Sequence, residues 1–178
     1  RNGLKFYVHY QDAKRTLTTT GKRKYTRKRS GIGTIFRRKK IRASFEYIIA
    51  DGMIFNGTDG GAVPGTTNNA NTAIASFNIL TNEKGRGTYL DLGYRFAGKW
   101  EADFRYDRLD RGTRISTNER RFETFTLGLQ YFSNKRSRVI VNYEARSAEA
   151  PNLSSSHLAN PILSAIENRI PAQWLMIY

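Results

Sequence analysis

Strict two-residue alternation of apolar and polar side chains, repeated along most of the chain, is the feature that most restricts how this sequence can fold. Successive side chains on a strand point to opposite faces, so such runs predict half-buried strands. Leu4, Phe6, Val8 and Tyr10 share one face, against Lys5, Tyr7 and His9 on the other. Ile41, Ala43, Phe45, Tyr47 and Ile49 alternate with Arg42, Ser44, Glu46 and Ile48. Leu90, Leu92, Tyr94 and Phe96 alternate with Tyr89, Asp91, Gly93 and Arg95, and Trp100, Ala102, Phe104 and Tyr106 with Glu101, Asp103, Arg105 and Asp107. Phe125, Leu127, Leu129 and Tyr131 are followed by Val139, Val141, Tyr143 and Ala145, and the chain ends with Ile170, Ala172, Trp174, Met176 and Tyr178 on one face. Ser30 to Phe36 reads as a weaker strand of open phase, because Ile32 and Ile35 compete for the apolar face. Eight strands are expected.

The connections alternate in length. Residues 11–29, 51–86, 108–121 and 147–168 read as long loops, whereas 37–40, 97–99 and 132–137 read as tight turns, two of them between alternating runs as in β-hairpins. Long loops on one side and short turns on the other predict an all-β, antiparallel transmembrane β-barrel of an outer membrane, with the turns and both termini in the periplasm. No charged residue falls on the apolar face of the seven strands whose phase is clear. The other face carries Lys5, Arg42, Arg95, Arg105, Arg138 and Arg146 with Glu46, Asp91, Glu101, Asp103, Asp107 and Glu144, and is expected to line a lumen. Aromatic residues gather at strand ends, Tyr10, Tyr47, Tyr106 and Tyr143 at the long-loop rim and Tyr94, Phe96, Trp100, Tyr131 and Tyr178 at the short-turn rim, as two interfacial girdles require. A soluble barrel or sandwich also alternates, but with its apolar face as a core. No run approaches the roughly 18 to 20 apolar residues of a membrane-spanning helix, which excludes that class. A mean hydropathy of −0.60 is no obstacle to a barrel, half of whose strand residues are polar.

The segments Gly93-Tyr94-Arg95-Phe96 to Asp107, Phe125 to Phe132, Val139 to Tyr143 and Asn168 to Tyr178 resemble the C-terminal part of the phosphate-selective porin O and P family, most closely over the second half of the chain. The resemblance implies a barrel of about sixteen strands, of which the eight here would be the C-terminal half, assembled as a trimer in the outer membrane of a Gram-negative bacterium. It also implies passive passage of small hydrophilic solutes with a preference for anions such as phosphate, and a final aromatic, Tyr178, that matters for assembly. It assigns no individual phosphate ligand to this chain. A complete eight-stranded barrel would instead be filled by its own side chains, giving a closed barrel with a structural or lipopolysaccharide-contacting role.

A net charge of +15 makes anions, anionic lipid and nucleic acid the partners to weigh. The cluster Lys14, Arg15, Lys22, Arg23, Lys24, Arg27, Lys28 and Arg29, with Thr between, suggests an exposed loop that attracts anions, pairs with lipopolysaccharide phosphates or is merely solvated. Because the lumen-facing positions hold as many acids as bases, anion preference is expected from loops, chiefly that cluster with Arg108, Arg111, Arg114, Arg120 and Arg121. A soluble basic β-protein binding nucleic acid would need aromatics on its basic face for stacking, whereas here they lie on the charge-free one. No nucleic-acid partner is therefore expected.

Chemistry is thinly represented. Ser154, Ser155 and Ser156 beside His157 lack a spaced acid or an oxyanion motif, so no enzyme is expected. With no cysteine and only His9 and His157, no metal or other cofactor is expected either, and Gly31-Ile32-Gly33 lacks the rest of a phosphate-loop fingerprint.

Overall fold

Register turns the alternation into a surface. A computed structural model of the chain describes residues 2–17, 23–55, 79–157 and 159–176. Its main sheet is antiparallel and eight-stranded, in the order β1 (Gly3–Leu17), β2 (Arg23–Arg38), β3 (Ile41–Asp51), β6 (Lys84–Ala97), β7 (Trp100–Arg111), β8 (Arg120–Asn134), β9 (Ser137–Glu149) and β10 (Ala172–Met176). Between β3 and β6, the two-residue strands β4 (Ile54–Phe55) and β5 (Ile79–Leu80) form a separate ribbon. Each main strand pairs with its neighbour in sequence order, and β1 and β10 are edges that do not pair with each other, so the sheet stays open.

One cross-strand row runs Leu4, Phe36, Ala43, Leu92, Phe104, Leu127 and Tyr143, each opposite the next. Every apolar alternation therefore lands on the same face. The phase left open for β2 is set by pairing: Ile32 lies between Val8 and Tyr47 on the apolar face, and Ile35 lies on the other. In β6 the register shifts between Tyr94 and Ala97, so Ala97 rather than Phe96 stands opposite Trp100 and the alternation expected through Phe96 breaks at that bulge.

The strands outrun their apolar pattern. In the expected loop 11–29 every described residue is strand, because β1 continues to Leu17 and β2 begins at Arg23. Loop 108–121 shortens to the segment after Arg111, with a 3-10 turn at Ser116–Asn118. Loop 147–168 begins after Glu149 and contains a short helix, α1 (Ala159–Ser164), which packs back on β9 through Leu163. The last strand starts at Ala172; Ile170 precedes it, after an isolated bridge between Arg169 and Glu144. Most of loop 51–86, Lys22 and Tyr178 lie outside the described residues.

Burial is inverted with respect to a sandwich. Among the described residues the buried apolar side chains are Met53, Ile54, Ala150 and Leu163, all at the long-loop end. On the apolar face Phe6 is 74 % exposed, Val8 78 % and Leu127 60 %. On the opposite face the side chains of Glu101 and Asp103 are only 13 % and 12 % exposed. No described element covers the apolar face, while the polar side chains pack on one another as they would on the concave side of a curved sheet.

Glycines make room for that packing. Tyr7 lies across Gly33 and His9 across Gly31, where a Cβ would strike the aromatic rings. Large inward rings laid over glycine allow a strand to bend without losing its pairing.

Candidate functional site

The polar face is a web of ion pairs. Arg42 on β3 reaches across to Asp91 on β6 and to Asp103 and Glu101 on β7, the last at 3.3 Å. Arg95 approaches Glu101 at 3.6 Å and lies over the ring of Phe132 at 4.1 Å. Gln130 donates to Asp103 and accepts from Arg138 at 3.0 Å, which extends the web to β8 and β9. Arg105 pairs with Asp107 at 2.6 Å and lies over Tyr89. Four of the five arginines expected on this face, Arg42, Arg95, Arg105 and Arg138, are thus tied to neighbours there; Arg146 shares the face by register, opposite Thr124. Carboxylates offset these guanidinium charges, as the equal count of acids and bases implied. Nor is the face uniformly polar: Ile48, Leu109 and Phe122, with Glu46, Tyr89 and Asp107, line a shallow pocket of about 270 Å³ near its long-loop end.

Aromatic residues at the long-loop end follow a diagonal. Tyr143 on β9 stands in the row of Leu127, Phe104, Ala43 and Leu4. Tyr106 on β7 is two positions past Phe104, Tyr47 on β3 is four past Ala43, and Tyr10 on β1 is six past Leu4. The border climbs six residues over the six strand-to-strand steps from β9 to β1, one residue per strand. On the apolar side of each of these four strands, charge begins only beyond that border: Asp12 on β1, Asp51 on β3, Arg108 on β7 and Glu149 on β9.

Past the border the two ends of the sheet differ. On β6 to β9, Asp110 is 2 % exposed and meets Arg86 at 2.8 Å, Arg121 at 3.0 Å and Arg108 at 3.1 Å. Arg121 continues to Glu149 at 2.9 Å, and Tyr106 donates to Glu123 at 2.6 Å. Burial alone would raise the Asp110 pKa, but hydrogen bonds from Arg108, Arg86 and Arg121 outweigh it and hold the carboxyl below its ordinary value. Among the described residues β1 and β2 hold no such enclosed cluster, and Lys28 pairs with Asp12 at 3.5 Å. Beyond Asp51, the partner of Lys28, β3 ends and β1 and β2 continue as a two-stranded ribbon. No acidic residue stands between Asp12 and Glu46 in the sequence.

Besides Arg108 and Arg121 at Asp110, and Arg120, which donates to the Thr117 and Glu119 carbonyls, three more of the cations expected in anion-attracting loops are engaged or enclosed. Arg29 donates to the carbonyls of Asp51, Gly52 and Met53, tying down the turn after β3. That turn requires Gly52, whose φ of +73° is strained for other residues and where a Cβ would collide with the Thr26 carbonyl. Arg114 pairs with Asp51 at 2.8 Å and donates to the Asn82 carbonyl, while buried Glu83 accepts from the Arg114 backbone N–H and from Asn118. Arg111 is in β7 rather than a loop, 4 % exposed against the ring of Phe122; burial, then the charge of Arg120, push its pKa down to about 10. The cations left at the surface are those of the β1–β2 ribbon, which are strand residues and not the loop residues expected: Lys14, Arg15, Arg23, Lys24, Arg27 and Lys28. Sequence reasoning missed the Asp110 cluster because its members fall where alternation has stopped, although Arg86, Arg108, Asp110 and Arg121 keep the parity of the apolar face.

At Ser154 to His157, the Ser154 and Ser156 hydroxyls lie 3.2 Å apart, and His157 Nδ1 accepts the Ala159 N–H at the start of α1. No family model, no curated protein and no solved structure matches this chain.

Proposed function

We propose that this chain is a section of an outer-membrane porin barrel that passes small hydrophilic solutes with a preference for anions such as phosphate. The observation that carries the reading is the exposed apolar belt with its slanted aromatic border. A climb of one residue per strand, at a rise of about 3.3 Å against a spacing of about 4.8 Å, slopes at about 35°. If that border lies in the membrane plane, the strands tilt by the same angle, within the roughly 35 to 45° of outer-membrane barrels. An apolar face left open to hydrocarbon also explains why charge starts only past the border, and why the ionic side chains are the ones that pack together.

In this reading the apolar face meets lipid, the polar face meets a lumen, and the β1–β2 ribbon stands at the outer rim. The balanced ion pairs on the polar face give the wall no net preference. The inward cations of the ribbon, Arg15, Arg23 and Arg27, concentrate anions at the mouth, an effect that weakens with salt. The resemblance to the porin O and P family supports a larger barrel of about sixteen strands and a trimer, and the unpaired edges of β1 and β10 are where further strands would join.

Two measurements test it. Arg at Leu127, mid-belt, should lower folding stability in lipid vesicles by about 2 to 4 kcal/mol, whereas Arg at Thr126 should cost little; equal effects would mean that the belt does not face lipid. The full-length protein in a planar bilayer should show steady channels with an anion-biased reversal potential, and a cation bias or an absence of conductance would reject the porin reading.

A further inference from the structure

The β1–β2 ribbon sorts its cations by face. Tyr10 and Ser30 are the last uncharged pair on the apolar side, and the pairs that follow on that side are Asp12 with Lys28, Lys14 with Thr26, and Thr16 with Lys24. The opposite side presents Gln11 with Arg29, Ala13 with Arg27 and Arg15 with Tyr25, and then Arg23 opposite Leu17. Among the described residues every lysine of the ribbon therefore faces the apolar side and every arginine the polar side.

We infer that Lys14, Lys24 and Lys28 form a docking surface for the phosphate groups of anionic lipid headgroups in the leaflet around the barrel. The inference rests on the membrane reading proposed above. Three observations point to this occupant. The lysines continue the face that carries the exposed belt and begin two residues past Tyr10, so a lipid whose chains lie on Leu4, Phe6 and Val8 has its headgroup at their level. Among the described residues the acids beside them are Asp12, at 3.5 Å from Lys28, and Asp51, the cross-strand partner of Lys28; both sit at the Lys28 level, so Lys14 and Lys24 leave the outer part of the patch cationic. Lysine also suits the setting: a flexible stem reaches a fluid phosphate as a point charge, while the fixed fork of arginine suits anions held in a defined place, such as a pore mouth. At the other end of the sheet the corresponding positions hold Arg86, Arg108 and Arg121 already committed to Asp110 and Glu149, so the lipid-binding surface is confined to β1 and β2.

The test uses the full-length protein and lipid A as the probe. Insertion into phosphatidylcholine vesicles, which needs only the belt, is scored first; if the unaltered protein does not insert, the membrane reading itself falls. Retention of lipid A on the detergent-purified protein is then read by native mass spectrometry. The triple variant Lys14→Gln, Lys24→Gln, Lys28→Gln should insert normally but retain lipid A at least about tenfold more weakly, in keeping with the several-fold effect of each basic residue near an anionic surface. The control Arg15→Gln, Arg23→Gln, Arg27→Gln should retain it as the unaltered protein does. Dephosphorylated lipid A should bind weakly to all three proteins. Excess inorganic phosphate should not displace lipid A, since a headgroup site also needs the belt beneath it. Equal loss in both triple variants, no loss in the lysine variant, or displacement by free phosphate would each overturn the proposal while leaving the barrel reading intact.

Discussion

Beyond the aromatic border, the two ends of one sheet handle positive charge in opposite ways. On β6 to β9, three arginines converge on the enclosed carboxylate of Asp110 and pass charge on to Glu149. On β1 and β2, cations alternate along a ribbon whose nearby acids among the described residues, Asp12 and Asp51, both stand beside Lys28. A guanidinium cluster around a buried carboxylate is fixed and neutralised, so it holds strands together. An uncompensated ribbon gains nothing for the fold from its charge, which leaves that charge free to act on something outside the protein. The same residue types thus serve structure at one end and, in the proposed reading, recognition at the other.

The contrast is sharpest in stability. Asp110→Asn leaves Arg86, Arg108 and Arg121 facing one another, and should cost about 2 to 3 kcal/mol, less than the roughly 3 to 5 of a fully buried pair because the guanidiniums are partly solvated. Denaturant unfolding in detergent measures it; a cost below about 1 kcal/mol would break the comparison.

Acid should erase that difference. The folded pKa of Asp110 is lowered, so its stabilisation is complete above the unfolded value of about 3.9 and declines as pH falls through the lower folded value. Melting of the unaltered protein and of Asp110→Asn, followed from pH 7 downward, should differ most near neutrality and converge at the acid end. A gap that persists below the folded pKa would mean that the carboxylate charge is not the cause.

A smaller and different effect is expected on the ribbon. Replacing Arg15, Arg23 and Arg27 by Gln should reduce anion bias in bilayer recordings with little change in stability, and Arg86→Gln with Arg121→Gln should do the reverse. The smallest effect belongs to Asp12→Asn, which removes an exposed pair and should change stability by less than about 0.5 kcal/mol.

Strand existence and facing were legible wherever one side of a strand is apolar, from Leu4 to Tyr10 and from Trp100 to Tyr106. What could not be read is where strands end. Past Tyr10 and before Ser30 both faces are polar, so a strand and a loop give the same pattern, and residues 11–17 and 23–29 read as loop from sequence alone. The phase of β2 needed Val8 and Tyr47 as cross-strand neighbours, which no local pattern contains. Arg111 and Arg114 read as anion-attracting loop cations because sequence does not show that Phe122 covers one and Asp51 meets the other. The Arg42 web joins residues from three strands, and only register brings them together.

The slant of the aromatic border also governs bore. With one residue of stagger per strand and a tilt of about 35°, the backbone radius of a closed ring depends on strand number alone: about 8 Å for eight strands and about 15 Å for sixteen. Inward side chains such as Tyr7, Arg42 and Arg138 would meet at the axis of the narrower ring. In the wider one they would stop well short of it, leaving a water-filled passage whose wall is the same Arg42 web. Adding hairpins at the β1 or β10 edge at the same stagger would therefore change calibre while leaving the height of the apolar belt unaltered.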